Sequence, residues 1–383
     1  MTKSDLKYPI YLDHNGTTPI ASEAVSAMKP FMAAHFGNPS SSHSLGVRAR
    51  DGVDRARKEV AKLLGCDAHE IIFTSGGTES NNMVLKGLVD FRHPETFHVI
   101  TSSIEHPAIL NPALFLGELG VRVTILPVDT KGLIDPDQVQ KAILPHTGLI
   151  TLMLANNETG ALQPIREIAE IARNHRIPLH TDAAQAVGKI SVQVKALGVD
   201  FLSVAGHKLY GPKGVGTLYM RDGLSLTPLI HGAGQENGRR AGTENTILTV
   251  GLGAACRVAR ERLTRDEKNI SRLRDQLQTL LFNGIKDLVL NGPNNNRIPN
   301  TLNVSVPGLE GGRILSEIPN LMASTGAACH DQGVTLSHVL SAMGVSPRVG
   351  MGALRFSLGR HNTPEEIEEA ALAVIHQVKR MRG

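Results

Sequence analysis

Apolar and polar positions follow two alternating periods through the first half of the chain. Short apolar runs at Ile71–Thr74, His98–Ser102 and Phe201–Ala205 predict buried strands. Between such runs, apolar residues recur every three or four positions, as in 45–64, and predict helices. Strands that alternate with helices in this way are typical of an α/β protein whose sheet is mostly parallel.

The pattern changes after about residue 219. A glycine-rich basic loop over 232–245 opens a long predicted helix that ends near Arg262, and a second helix is predicted over 270–282. The charged run between them, 260–268, suggests a junction between domains. Because 383 residues exceed one ordinary core, we expect two domains: a large one over 16–262, and a small α+β one built from 1–15 and 263–383.

Polar residues cluster directly after the predicted strands. They are Ser75 to Thr78, His106, Asn157, Asp182, Gln185 and Lys208. In a doubly wound sheet the carboxyl ends of the strands meet at one crevice, which is where ligands bind. We therefore expect these side chains to share a site, and the segment from Asp182 to Lys208 to be a helix-free, hairpin-like excursion.

Two of these strand ends carry specific chemistry. Gly76, Gly77 and Thr78 form a glycine turn before a helix, which suits one phosphate, although an ordinary capped helix start explains the same residues. No Gly-Lys-Ser/Thr follows, which argues against a nucleotide P-loop. Lys208, walled by small residues, is a candidate for a partly desolvated, Schiff-base-forming lysine; the alternative is a solvated turn lysine.

Composition narrows the class of protein. The chain is 41% hydrophobic and 20% charged, and no apolar run reaches the roughly 18 residues of a membrane span. The net charge of +4 comes from 40 basic and 36 acidic residues that are interleaved, so nucleic-acid binding is not expected. Three scattered cysteines make neither a disulfide framework nor a zinc module. A reduced, cytoplasmic setting is expected.

The three cysteines differ in their surroundings. Cys329 lies in a run of small residues followed by a polar loop, which suits an exposed, reactive thiol. Cys66 and Cys256 lie in helical patterns and are expected to be packing residues.

A Schiff-base lysine, an acid for the pyridine nitrogen and a phosphate cradle are what a protein must supply to pyridoxal 5'-phosphate (PLP). With the exposed cysteine added, the chain resembles the cysteine desulfurases of the NifS/IscS type, in the class V aminotransferase family of fold-type I PLP enzymes. It is also close to the selenocysteine lyases. The motifs that carry the resemblance are Tyr11-Leu12-Asp13, Thr74 to Asn82, Asn156-Asn157-Glu158, His180 to Gln185, His207-Lys208, Gly242 to Asn245 and Arg355-Phe356-Ser357.

The resemblance implies a role for each site residue. Lys208 would hold PLP and move the substrate α-proton, Asp182 would keep the pyridine nitrogen protonated, and His106 would lie over the ring. Arg355 would bind the substrate carboxylate, and Cys329 would accept the sulfur. The remaining cofactor contacts would come from Gln185 and Asn157 on the ring hydroxyl and substrate side, and from Gly77, Thr78, His207 and, across a homodimer, Thr243 at the phosphate.

The implied activity is conversion of L-cysteine to L-alanine, with a persulfide on Cys329 passed to an acceptor protein. Selenocysteine lyase is the alternative, because Gly206–Lys208 and the segment 326–330 look more like those enzymes. Ala205 stands where many desulfurases carry a phosphate-contacting hydroxyl. An aminotransferase would give Cys329 no role, and a non-enzymatic scaffold would need neither Lys208 nor Asp182.

Overall fold

The computed structural model describes residues 8–325, 327–330 and 333–383, and it describes side chains outside 326–334. In chain order the strands are β1 (Ile10–Tyr11), β2 (Ile71–Thr74), β3 (His98–Ser102), β4 (Arg122–Leu126), β5 (Thr147–Thr151), β6 (Leu179–Asp182), β7 (Phe201–Ala205), β8 (Gly216–Met220), β9 (Val289–Leu290), β10 (Thr301–Ser305), β11 (Leu321–Met322), β12 (Ser324–Thr325), β13 (Ala327–His330), β14 (Gly333–Leu336) and β15 (Ala353–Ser357).

The α-helices over 45–64 and at the start of the 246–284 segment lie close to their predicted places, whereas some others were not predicted. The α-helices are α1 (Ser22–Ala33), α2 (Ser44–Leu64), α3 (Gly77–Gly87), α4 (Pro107–Glu118), α5 (Pro136–Ala142), α6 (Ile165–His175), α7 (Val194–Leu197), α8 (Thr246–Gly284), α9 (Gly311–Ser316), α10 (His338–Ala342), α11 (Pro347–Gly350) and α12 (Pro364–Arg382). Two helix boundaries have clear caps. Gly65 ends α2 at φ 70°, and Thr363 begins α12 with a capping box to Glu366.

The larger sheet has seven strands in the order β2-β8-β7-β6-β5-β3-β4. Strands β7, β6, β5, β3 and β4 pair in parallel, whereas β8 is antiparallel to both of its neighbours. Successive side chains of β2 pack into apolar clusters on opposite faces of this sheet. Ile71 and Phe73 pack on the side of α2, α6 and α8, while Ile72 packs on the side of α3 and α4. The predicted α/β class, with a mixed and mostly parallel sheet, is confirmed.

The connection from Asp182 to Lys208 differs from the prediction. It contains the short helix α7, and the two strands that it joins pair in parallel, with Thr181 opposite Leu202. The prediction of a helix-free, hairpin-like excursion was therefore wrong. A parallel pair requires a crossover connection, so both strands end at the same edge of the sheet.

The second sheet is antiparallel and has the order β12-β15-β10-β9. Next to it, β1 pairs with β11, and β13 pairs with β14 so that the backbone of Cys329 lies opposite Val334. An apolar cluster of Leu12, Leu302, Phe356 and residues of α12 covers this sheet. The antiparallel strands and their helices form an α+β unit, as the sequence suggested.

Helix α8 corrects a second prediction. The sequence suggested two helices separated near 262–270, but α8 runs without interruption from Thr246 to Gly284. Its first half packs Leu252 and Cys256 into the core of the larger sheet, and its second half packs Leu273 and Leu277 into the core of the second sheet. Charged residues at 260–268 occupy a solvent-facing stretch of a continuous helix rather than a linker. The proposed boundaries of the two domains stay a prediction.

Close backbone packing shapes the entrance to α3. Gly76 has φ 154°, and a Cβ at Gly216 on the neighbouring strand would lie 2.7 Å from the Gly76 backbone. Only glycine fits this contact.

In the part of the chain that the structure describes, no helix is both long and apolar enough to cross a bilayer.

Candidate active site

A cavity of about 290 Å³ lies at the carboxyl ends of β6 and β7, against the first turn of α3. Most of the residues predicted from strand ends and from the family resemblance line this cavity together. They are Gly77, Thr78, His106, Asn157, Asp182, Gln185, His207, Lys208 and Arg355. The prediction that these residues share one crevice is therefore confirmed, although their individual roles are not tested by their position alone.

Lys208 projects from the turn after β7 and is largely buried. Its Nζ donates to the backbone carbonyls of Gly16, at 2.6 Å, and of Asn15. Burial lowers the pKa of Lys208 to about 8, and the nearby Arg355 guanidinium acts in the same direction, while Asp13 and Asp182 partly oppose the shift. About one tenth of this amine is consequently neutral at pH 7, and the neutral form is the one that a nucleophilic lysine requires.

Asp182 is the last residue of β6 and is 8% exposed. One carboxylate oxygen accepts a hydrogen bond of 2.7 Å from Asn81 Nδ2, and the other accepts one of 2.9 Å from the Ala184 amide. These donors fix the plane of the carboxylate at the cavity wall. Asn81 was not predicted as a site residue; its signal is its position one turn after Gly77 on α3, on the helix face toward β6.

The first turn of α3 offers backbone donors to the cavity. The first intrahelical bond runs from the Ser80 amide to the Gly76 carbonyl, so the preceding amides of Gly77 and Thr78 have no acceptor within the helix. Glu79, in the same turn, is neutralised because it accepts a bond of 2.8 Å from Arg240 and one of 2.8 Å from the Ser75 amide. The turn therefore retains its capacity to bind an anion.

His106 caps a helix and also lines the cavity, while its predicted role over the cofactor stays a prediction. Its Nδ1 accepts from the Ala108 amide at 3.1 Å and caps α4, while its ring lines the cavity. Partial burial lowers the pKa of His106, and Asp182 and Lys208 act on it in opposite directions. The ring is therefore neutral at physiological pH.

Glu105, just before His106, lies in the core, and the sequence analysis did not predict it as a site residue. Burial raises its pKa to about 8, and its Oε1 accepts from Ser102 Oγ at 2.6 Å and from the Met153 amide at 3.0 Å.

Arg355 reaches the cavity from the second sheet. It lies in the middle of β15, between Asn303 of β10 and Ser324 of β12. One terminal nitrogen donates to Asp13 Oδ1 at 2.8 Å and the other to the Asn157 carbonyl at 3.3 Å, while its buried Nε has no hydrogen-bond partner among the described residues. Arg355 thus keeps donor capacity for an anion in the cavity.

Ser75, Gly76 and Thr243 were predicted at the site but do not line this cavity. Thr243 is exposed on the loop before α8. The side chain of Cys329 lies outside the described residues. Ala205 lines the cavity with a methyl group, so this position adds no hydroxyl donor. Cys256 is fully buried and Cys66 partly packs against the core, which confirms both as packing residues.

A lysine and a carboxylate at the ends of parallel strands, beside a helix N-terminus that can bind an anion, define an α/β enzyme of fold type I. The chain belongs to the aminotransferase class-V family, whose profile matches residues 10–370. The resemblance seen in the motifs is confirmed by a cysteine desulfurase IscS from Dictyoglomus turgidum. It is 46% identical over 364 residues, which cover 94% of this chain and 92% of the relative.

Solved structures agree with this assignment. A NifS-like protein superposes with a TM-score of 0.91 at 36% identity, covering 97% of this chain and all (100%) of the other. A structure described as SspA in complex with cysteine gives a TM-score of 0.82 at 39% identity, covering 92% and 99% of the two chains.

Proposed function

We propose that this chain is a PLP-dependent cysteine desulfurase, which converts L-cysteine to L-alanine and passes the sulfur through Cys329 to an acceptor. The observation that carries the proposal is the buried Lys208 amine, with its lowered pKa, in one cavity with Asp182, Arg355 and the first turn of α3. The curated relative and the cysteine-bound structure supply the substrate class. They favour the desulfurase over selenocysteine lyase.

The chemistry of the cavity fits PLP. Asp182 presents a carboxylate for the pyridine nitrogen, and the amides of Gly77 and Thr78 face the cavity as donors for a phosphate. Lys208 is the amine for the aldehyde, and Gln185 and Asn157 would border the ring hydroxyl and the substrate. Thr78 and His207 would add phosphate contacts. When bound, PLP supplies the electron sink for breaking bonds at the substrate carbons.

The residues of the chain divide the remaining tasks. Arg355, with its unpartnered Nε, binds the substrate carboxylate and orients the α-carbon toward Lys208, whose neutral amine can accept and return the α-proton. His106, which lines the cavity, would lie beside the bound cofactor. Asn81 Nδ2 and the Ala184 amide donate to the Asp182 carboxylate and hold it in place at the cavity wall.

Cys329 takes the sulfur. Its thiolate attacks the sulfur of the bound cysteine, an S–S bond forms, and the substrate C–S bond breaks. The electron pair of that bond stays with the β-carbon, which takes up a proton and becomes the methyl group of alanine. The persulfide on Cys329 then transfers its outer sulfur to the thiol of an acceptor protein. This step gives Cys329 a role, whereas in an aminotransferase Cys329 would have none.

The decisive experiment supplies the purified holoenzyme with L-cysteine. We expect alanine in the product and a thiol-labile mass gain of one sulfur on the peptide that contains Cys329. Cys329→Ser should bind PLP normally but form neither alanine nor the persulfide, whereas Cys66→Ser, at a packing cysteine, should retain both. Desulfuration by Cys329→Ser near the wild-type rate would contradict the proposal.

The finer features of the assembly are also proposals. We propose a cytoplasmic homodimer in which Thr243 of each subunit completes the phosphate site of the other, since Thr243 is exposed and does not line the cavity of its own chain. Sedimentation should show a dimer. A fully active monomer would contradict this arrangement.

A further inference from the structure

Lys189 is partly buried behind the cavity and belongs to no part of the predicted site. Its Nζ donates to Gln185 Oε1 at 2.6 Å and to Asn15 Oδ1 at 3.0 Å. Among the described residues no carboxylate forms an ion pair with Lys189, and the charged groups that act on its pKa are the cations Lys208 and Arg355. Burying the charge of a lysine without an acid is costly, so its presence here requires an explanation.

Two contacts fix the orientation of the Gln185 amide. Lys189 Nζ donates to its Oε1, and on the other side the Asn15 carbonyl, which can only accept, requires Nε2. Nε2 donates one hydrogen to the Asn15 carbonyl at 3.1 Å. The second hydrogen of Nε2 is left for the cavity, which Gln185 lines. The two contacts thereby make Gln185 a donor rather than an acceptor at the cavity wall.

Asn15 connects Lys189 to Lys208. The Asn15 side chain accepts from Lys189 and from Asn300 Nδ2, at 2.9 Å, through Oδ1. It donates through Nδ2 to Thr301 Oγ1 at 2.8 Å and to the Asn157 carbonyl at 3.0 Å. With its amide held at both ends, the backbone carbonyl of Asn15 is fixed where Lys208 and Gln185 donate to it.

We propose that Lys189 is a positioning residue, which holds the Gln185 amide with its N–H toward the cavity and anchors the Asn15 segment that receives the Lys208 amine. The inference rests on the proposed function, because the ring hydroxyl side of PLP is the acceptor that would use the Gln185 donor. Lys189 itself need touch neither the cofactor nor the substrate.

The surroundings of Lys189 agree with this role. Partial burial, together with Lys208 and Arg355, lowers the pKa of Lys189 well below its usual value. The structure provides two amide oxygens for the N–H groups of the amine. Replacing the amine removes both donors and leaves two buried oxygens with fewer partners, which weakens the local network.

The test uses PLP affinity, measured by visible absorbance as apoprotein is titrated with PLP and without any substrate. Lys189→Met keeps the apolar stem but removes the donors, and we expect it to weaken PLP binding about tenfold, about 1.4 kcal/mol. Lys189→Gln keeps an N–H donor without a charge and should recover most of the affinity. Lys195→Met, at an exposed lysine of α7, is the matched control and should bind PLP as the wild type does.

A double-mutant cycle distinguishes positioning from general support of the fold. If Lys189 acts through Gln185, then Gln185→Ala should weaken PLP binding about as much as Lys189→Met, and the double variant should lose little more. Additive losses, or equal losses in Lys189→Met and Lys189→Gln, would overturn the proposal. Should Lys189→Met fail to fold, Lys189→Gln carries the test, and a loss as large as that of Gln185→Ala would overturn it. Since no cysteine is turned over, a failed desulfurase assay would leave this result unaffected.

Discussion

The two larger sheets of the molecule bring side chains to the same cavity in different ways. The seven-stranded sheet does so at strand ends: Asp182 is the last residue of β6, and Lys208 follows the end of β7. The four-stranded sheet does so from the middle of a strand, because Arg355 is the third of the five residues of β15. Parallel strands collect their ends at one edge, whereas an antiparallel sheet presents its functional residue on a face.

This difference separates the chemistry of the two sheets. The groups at the ends of β6 and β7 are fixed by backbone amides and carbonyls and are suited to hold a cofactor. Arg355 is tied to Asp13 and to the Asn157 carbonyl but keeps an unpartnered Nε. We therefore expect changes in the larger sheet to reduce the chemical step, and a change at Arg355 to reduce mainly substrate affinity.

The largest effect is expected for Asp182→Asn. An amide has the same shape and can still contact Asn81, but it cannot stabilise a protonated pyridine nitrogen. We expect kcat to fall about 1000-fold, about 4 kcal/mol, while visible absorbance shows that PLP stays bound. A decrease of less than about tenfold would mean that Asp182 does not pair with this nitrogen.

The control for this variant is Asp200→Asn. Asp200 immediately precedes β7, at the opposite end of the same sheet, where it pairs with Arg221 at 2.7 Å and accepts from the Leu179 amide at 2.8 Å. Its loss should lower stability without changing kcat. Equal losses of kcat in the two variants would show that the sheet as a whole, and not its carboxyl edge, determines the rate.

An intermediate effect is expected for Arg355→Met. Hydrogen bonds to charged groups contribute about 1.5–3 kcal/mol, so the KM for L-cysteine should rise about 10- to 100-fold, with a smaller change in kcat. Arg355→Lys keeps the charge but loses the planar pair of donors, and it should recover only part of the affinity. An unchanged KM in both variants would exclude Arg355 as the carboxylate ligand.

The same contrast explains what could be predicted from the sequence. The ends of strands can be recognised in the sequence, because an apolar run stops and a polar residue follows. Asp182, Lys208 and His106 were found in this way. Arg355 has no such signal within β15 and was found only through the family resemblance. Lys189 and Glu105 were missed because burial of a charged residue depends on packing between distant segments, such as Asn15 with Gln185, which no local pattern reports.

The long helix α8 and the α7 crossover were missed for a related reason. In the sequence, the charged run 260–268 resembles a break between two helices. In the structure, the two ends of one helix pack into two different cores, with Leu252 in the first and Leu273 in the second. The four residues of α7 are too few to display a helical period.

The smallest effect concerns the pH dependence of PLP attachment to the apoprotein, and it links the two sheets directly. Only the neutral amine of Lys208 attacks the aldehyde. With a pKa of about 8, the neutral fraction should rise from about one tenth at pH 7 to about nine tenths at pH 9 and then level off. A lysine with its ordinary pKa of about 10.4 would still be gaining about tenfold per pH unit at pH 9.

Arg355 is the charged group that contributes most to lowering the pKa of Lys208. Arg355→Met removes that positive charge and releases Asp13, and both changes favour protonation of Lys208, so the pKa should move upward. We therefore expect Arg355→Met apoprotein to attach PLP more slowly than wild type at pH 7 and to approach the wild-type rate above about pH 10. Stopped-flow absorbance measures both profiles, and the titration of PLP itself cancels between them. Parallel profiles, with the same midpoint in the two proteins, would show that the second sheet binds substrate but does not tune the lysine of the first.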